Sequence, residues 1–215
     1  MLKSIKTSVV ALILVSTAII VHAQKKVTEG TLVFAVTANG STTDVKTKFN
    51  GALTKLEIEN GPALVNIISN TADKTGLLLI DVPVAQKQFA VKVSKADTEA
   101  QEALLPKYSD YKATGEKQTI AGLSAEKYTY KDDKGGAHEL WATKDVDISA
   151  ITSAGFFKGL NAFPVKYSAV INGVSSDLVL KSLSEAKVGA ISTEIPAGYD
   201  IVTMDELKAM QGGGE

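Results

Sequence analysis

His138, together with Asp132 and Asp133, is the group in this sequence closest to an acid–base arrangement. A serine nucleophile needs a histidine base, and His138 is the only histidine beyond His22. No serine stands in the G-x-S-x-G frame that exposes a nucleophile at a strand-to-helix turn. His138 follows Asp132-Asp133-Lys134-Gly135-Gly136, a hairpin-loop signal, and is expected to be an exposed loop residue. The paired acids lack the alternate spacing of a calcium loop and are expected to solubilise the turn. Asp and Glu total 24, yet no pair stands at a spacing that recommends glycosidase chemistry. Cysteine is absent, which removes thiol nucleophiles and zinc sites built from Cys and His. All 23 basic residues are lysine. Without a guanidinium fork, bidentate recognition of phosphate and of guanine is missing, and nucleic acid is not an expected partner. The chain is read as non-enzymatic, with no catalytic residue, metal or cofactor assigned.

The start of the chain sets its location. Lys3 and Lys6 precede the apolar run Val9 to Val21, and Val21-His22-Ala23 ends it with small residues at the first and third positions. A charged start, a short apolar middle and an A-x-A-like end describe a secretory signal peptide over residues 1–23. The run is shorter than the roughly 20 residues that span a bilayer. The expected product starts at Gln24, is soluble and exported to the periplasm or beyond, and keeps no transmembrane segment. Without a cysteine at the cleavage point, no lipid is attached there. Residues 24–211 are long enough for a single domain with its own core, and 212–215 form a glycine-rich tail expected to be disordered.

The elements that would position any site are mostly strands. β-branched and aromatic runs separated by Gly, Asn and Asp predict strands over Thr28–Ala38, Val45–Phe49, Leu53–Glu59, Ala63–Ser69, Gly76–Val82 and Gln88–Val93. A further pair, Lys117–Tyr130 and His138–Thr143, flanks the Asp-Asp-Lys-Gly-Gly loop and carries Trp141. Thr98-Glu99-Ala100-Gln101 fits a capping box, and Pro106 stops the helix that it opens. A second helix is expected to start near Asp147-Ile148-Ser149 and to carry Ile148, Ile151, Phe156 and Leu160 on one stripe, with Phe157 beside them. A short helix over Asp205–Met210 follows the extended, proline-bounded stretch 193–200.

The most sharply defined local geometry is the hairpin around Asn172-Gly173, whose type I′ turn needs two residues at positive φ. Its register pairs Ile171 with Val174, Ala169 with Ser176, Tyr167 with Leu178 and Val165 with Leu180. That makes one apolar face and one polar face, the latter with Ser168 opposite Asp177 and Lys166 opposite Val179.

Sequential hairpins with inserted helices predict a mainly β (α+β) fold. The expectation is one curved antiparallel sheet, or half-barrel, with two or three short helices covering its concave face. Space between sheet and helices would take an apolar ligand. The residues expected to line it are Phe34, Val36, Leu56, Ile58, Trp141, Phe156, Val165, Tyr167 and Leu178.

Three short motifs in fixed order carry a family resemblance. They are Thr119-Ile120-Ala121-Gly122-Leu123 followed by Lys127-Tyr128, then Glu139-Leu140-Trp141-Ala142-Thr143, then Ile195-Pro196-Ala197-Gly198-Tyr199. Together they resemble an uncharacterised family of exported bacterial proteins, over roughly Thr114 to Ile201 and more weakly from Glu29. Ala125 stands where that family often has cysteine. The resemblance implies a fold like the periplasmic lipoprotein carriers (LolA-like). It also implies a non-catalytic binding or carrier role for a lipid, an acylated peptide, a lipoprotein or another apolar ligand. The alternative is an envelope interaction or structural module with no small ligand.

Overall fold

The computed structural model describes residues 24–148, 151, 157–171 and 173–212. Residues 1–23, where the signal peptide is expected, Ser149, Phe156, Asn172 and residues 213–215 lie outside them. The chain runs through β1 (Lys25–Lys26), β2 (Glu29–Ala38), β3 (Ser41–Asn50), β4 (Leu53–Asn60), β5 (Ala63–Asn70), β6 (Thr75–Val82) and β7 (Lys87–Val93). Helix α1 (Lys95–Leu104) precedes β8 (Tyr108–Ile120), β9 (Leu123–Asp132), β10 (Ala137–Thr143) and β11 (Val146–Asp147). The hairpin strands β12 (Phe163–Ile171) and β13 (Val174–Ser184) come next, then β14 (Asp200–Ile201) and helix α2 (Met204–Gly212).

Twelve strands form one open sheet in the order β14-β7-β6-β5-β4-β3-β2-β13-β12-β10-β9-β8. Its pairs are antiparallel except β14 with β7, which is parallel. The sheet is therefore mixed, a correction to the all-antiparallel expectation. The chain returns to the β7 edge from a segment that has crossed the sheet, so a hairpin turn cannot make that join. A second parallel pair, β1 with β11, sets Lys26 opposite Asp147.

Turn chemistry explains most of the hairpins. Asn39 and Gly40 have φ of 50° and 76°, the two positive values of a type I′ turn, and set Ala38 opposite Ser41. Ala121 and Gly122 repeat the device at 50° and 79° and set Ile120 opposite Leu123. The stretch Lys117–Tyr130, expected as one strand, is thus the end of β8, a turn and most of β9. An alanine at positive φ carries little turn signal, which hides that turn from the sequence. The β12–β13 hairpin has the expected register: Ile171 faces Val174, Ala169 faces Ser176, Tyr167 faces Leu178 and Ser168 faces Asp177.

The helices differ more from expectation. The capping box of α1 is Ser94 with Asp97, not Thr98 with Gln101: Ser94 Oγ accepts from Asp97 N, and Asp97 Oδ2 accepts from Ser94 N. Thr98 lies one turn inside and donates its hydroxyl to Ser94 O. Leu105, before Pro106, is extended at φ −69° and ψ 143° and ends the helix as expected. Asp147 itself belongs to β11, while Ile151 is helical and its N–H donates to Ile148 O at 2.9 Å; the rest of the expected second helix up to Phe156 lies outside the described residues. Downstream, Phe157 is buried and Lys158-Gly159 forms a turn.

Cross-strand partners point to the same face, so the register sorts the side chains into two sides. The front face carries Leu178 and Leu180 of β13, Val36 and Phe34 of β2 and Val45 of β3. It continues through Leu56 and Ile58, Ile67 and Val65, Leu78 and Ile80, then Val91 and Phe89. The back face is charged over β3 and β4, where Glu57 pairs with Lys48 at 3.0 Å and with Lys55 at 3.1 Å. Further along the back, Ile68, Leu77, Leu79 and Ala90 are buried under Ile191, with Ile195 and Tyr199 beside it.

Candidate functional site

The front face is covered at its ends and less so in between. Toward β12 and β13, Val27, Leu32, Phe49, Ile148, Phe163, Val165 and Leu180 make a closed core. At the β7 end, α2 seats Leu207 on Ile80 and Val91. Helix α2 covers part of this face with Leu207, and Ile151 of the expected second helix packs against the closed core, whereas helix α1 buries none of its residues. The α1 sequence explains this: Lys95, Asp97, Glu99, Gln101 and Glu102 leave it without a continuous apolar stripe.

Between these ends runs a row of half-buried apolar side chains: Phe34, Val36, Val45, Leu56, Ile58, Val65 and Leu78. Ile67, in the middle of the row, is 36% exposed. One end of the row, Val45, Ile58 and Val65, lines a cleft of about 440 Å³ rimmed by Asp44, Lys46, Glu57 and Glu59. Ile67 also lines a second cleft, of about 300 Å³, beneath α1 and shared with Val93, Gln101 and Leu105. Both volumes reach the lower part of the range of small-molecule sites.

Of the residues singled out from the sequence, the fold gathers Phe34, Val36, Leu56, Ile58, Tyr167 and Leu178 on this face, all half-buried. Val165 shares the side but is 0% exposed, enclosed in the core. Trp141 lies elsewhere: it faces Lys127 and Lys166, and strand alternation gives the front position to its neighbour Leu140. Phe156 lies outside the described residues. Of the row's remaining members, Val45 occupies the apolar phase of a predicted strand, whereas Val65, Ile67 and Leu78 stand in runs with apolar residues on both faces. Such runs give no phase, so their side was not readable from alternation.

An aromatic cluster adjoins the row and was not anticipated. Tyr128, Tyr130, Leu140 and Phe157 are buried together, with Tyr108, Tyr111 and Tyr167 packed against them. Phe157 meets Tyr167 edge to face with centroids 5.0 Å apart, and Tyr167 meets Phe34 at 6.2 Å. Tyr108 stacks on Phe157 at 5.5 Å and Tyr111 on Tyr130 at 5.7 Å. Burial pushes the phenols of Tyr111 and Tyr167 up to about 12 and raises that of Tyr130 further. These rings come from β8, β9 and β12 and from the segment after residue 156. Two register shifts in the β8–β9 pairing make their convergence unreadable from spacing.

At the rim of the cluster, His138 is the second residue of β10, not a loop residue. Its ring stacks on Tyr130 at 5.3 Å, and its Nε2 lies 2.7 Å from Asp132 Oδ2. Asp132 Oδ1 accepts from Lys134 N and Gly136 N, so this carboxylate organises the loop. The hydrogen bond to His138 is the main cause holding its pKa below the usual value, with the Gly136 amide next. Among the described residues, no group of three or more His, Cys, Asp or Glu side chains is placed to hold a metal ion. Among the same residues, no helix is long and apolar enough to cross a membrane.

Comparison with known proteins gives a family and distant structural likenesses. The profile of a family described as a domain of unknown function, DUF4412, matches residues 28–153. No curated protein matches the chain. Among solved structures, one of PNGF-II is similar at 16% identity and a TM-score of 0.48, covering 85% of this chain and 32% of that one. The chain therefore spans about a third of the length of that protein. A DUF1329 family protein from Desulfovibrio piger is similar at 13% identity and a TM-score of 0.22, with 76% of this chain and 86% of that one covered.

Proposed function

We propose that this chain, which belongs to the DUF4412 family, is an exported, non-catalytic binding or carrier protein for an apolar ligand. On this reading residues 1–23 are removed on export, and the product works in the periplasm or beyond. Its open sheet serves as a LolA-like half-barrel, with the ligand on the front face. The observation that carries the proposal is the row Phe34, Val36, Leu56 and Ile58, left half-buried with Ile67 exposed beside them, between two closed cores. A sheet face this apolar gains free energy when something covers it, at about 25 cal/mol per Å². A ligand covering such a row needs no reactive group, only length and an oily surface.

The test is titration of the full chain with a fluorescent long-chain fatty-acid probe. Wild-type protein is expected to saturate. Ile67→Glu and Val36→Lys, both at half-exposed or exposed positions, are expected to weaken binding at least about tenfold, roughly 1.4 kcal/mol, with unchanged melting. Probe binding that is absent, or equal in all three proteins, rejects the proposal.

A further inference from the structure

Two hydroxyls in the aromatic cluster have no hydrogen-bonding partner among the described residues although both are buried: Tyr111 Oη and Tyr128 Oη. Tyr128 is only 7% exposed. A buried donor left unpaired costs free energy that packing of its ring does not return, and a phenylalanine would fill either position without that cost. The two tyrosines belong to one cluster, and that cluster is continuous with the apolar row through Phe157, Tyr167 and Phe34. Unpaired donors therefore sit at one end of the surface assigned above to an oily chain.

The surroundings define what they would bind. The rings around them, Tyr108, Tyr130, Phe157 and Tyr167, are uncharged, and the contact of His138 with Asp132 sits at the rim. Burial raises the phenol pKa values of Tyr111 and of its neighbour Tyr130, and the same apolar surroundings penalise an anionic acceptor there. A carboxylate or phosphate is a poor fit. A neutral carbonyl is a good one, because it accepts hydrogen bonds at a small desolvation cost.

We propose that the Tyr111–Tyr128 end of the front face seats the neutral carbonyl of an acyl ester or acyl amide, with its alkyl chain lying along Phe34, Val36 and Ile58. This rests on the carrier reading and names the ligand class for that same site. The two hydroxyls donate to the acceptor oxygens of the ester or amide, and the aromatic rings flank the group on its apolar sides.

The test compares monopalmitoylglycerol with the matching hexadecyl glycerol ether, which differ in one carbonyl, by calorimetric titration of the full chain. The acyl compound is expected to bind about tenfold more tightly. Tyr128→Phe and Tyr111→Phe are each expected to remove most of that preference and leave affinity for the ether unchanged. The ligand-free variants are expected to melt no lower than wild type, because the removed oxygen had no partner. Equal affinity for the two lipids overturns the inference while leaving the carrier reading intact. So does a preference that survives both substitutions. A lower melting temperature in the ligand-free variants also overturns it, since an ordered water would then satisfy the hydroxyls. Failure of both lipids to bind removes the carrier reading and this inference together.

Discussion

Asp132 shows how much one side chain contributes at the residue scale. Its two oxygens gather the Lys134 and Gly136 amides and the His138 ring, and so close the loop between β9 and β10. Its pKa is lowered in the fold from the ordinary 3.8, chiefly by His138. A depressed carboxylate contributes stability that is fully present above the unfolded pKa and is lost as pH falls through the folded value. The melting advantage of wild type over Asp132→Asn should therefore be constant near neutrality and shrink below pH 3.8. Thermal melts of both proteins across that range test this, and a gap that stays constant into strong acid contradicts it. The Asp-Asp-Lys-Gly-Gly loop was legible in the sequence, but the role of Asp132 in it was not. The alternation that put Leu56 and Ile58 on one face was legible as well. Trp141 is half-buried against the closed core, but it lies off the row because the phase of its strand turns Leu140 to the front. Tyr111 and Tyr128 were invisible as a pair because the β8–β9 register shifts stand between them.

At the scale of elements, α1 is held by its cap and by charge. Its N-terminus is closed by Ser94 and Asp97, and Leu104 is 85% exposed. Lys74, in the β5–β6 turn, bridges to Glu102 at 2.8 Å and to Glu99 at 3.7 Å. Each partner shifts the other: Glu102 raises the Lys74 pKa, and Lys74 lowers that of Glu102. Exposed pairs of this kind are weakened by salt. Amide exchange in 95–104 should therefore speed up in Lys74→Ala and at high salt, while the β2–β13 ladder keeps its protection. Exchange in α1 that is insensitive to both changes contradicts this account of its attachment. The existence of α1 was readable from its composition and from Pro106. Its start was not, because Thr98 offers a second capping box four residues after Ser94. The polar first half of β3, Ser41-Thr42-Thr43-Asp44, was likewise missed, because its pairing with β2 overrides its weak strand propensity.

Across the whole molecule, local hairpins predict the neighbours from β2 to β7, and those were legible. The joins that make one sheet, β13 with β2 and β12 with β10, link residues far apart in the chain and leave no local signal. The end of the chain wraps the β7 edge. Ile191, Ile195 and Tyr199 pack on the back, where the Tyr199 hydroxyl donates to Asp81 at 2.7 Å, and α2 packs on the front. Both sheet edges are poor templates for strand addition. β14 is two residues long, while β8 is broken by two register shifts and by Asp110 and Gly115 at φ of 58° and 85°. That geometry leaves little unpaired strand at either edge for a partner strand to join. The decisive measurement is native mass spectrometry of the protein isolated from the compartment in which it works. The account predicts an added mass matching a long-chain acyl compound, reduced or lost in Ile67→Glu. Bare protein under conditions that preserve lipid adducts on a control carrier would contradict it.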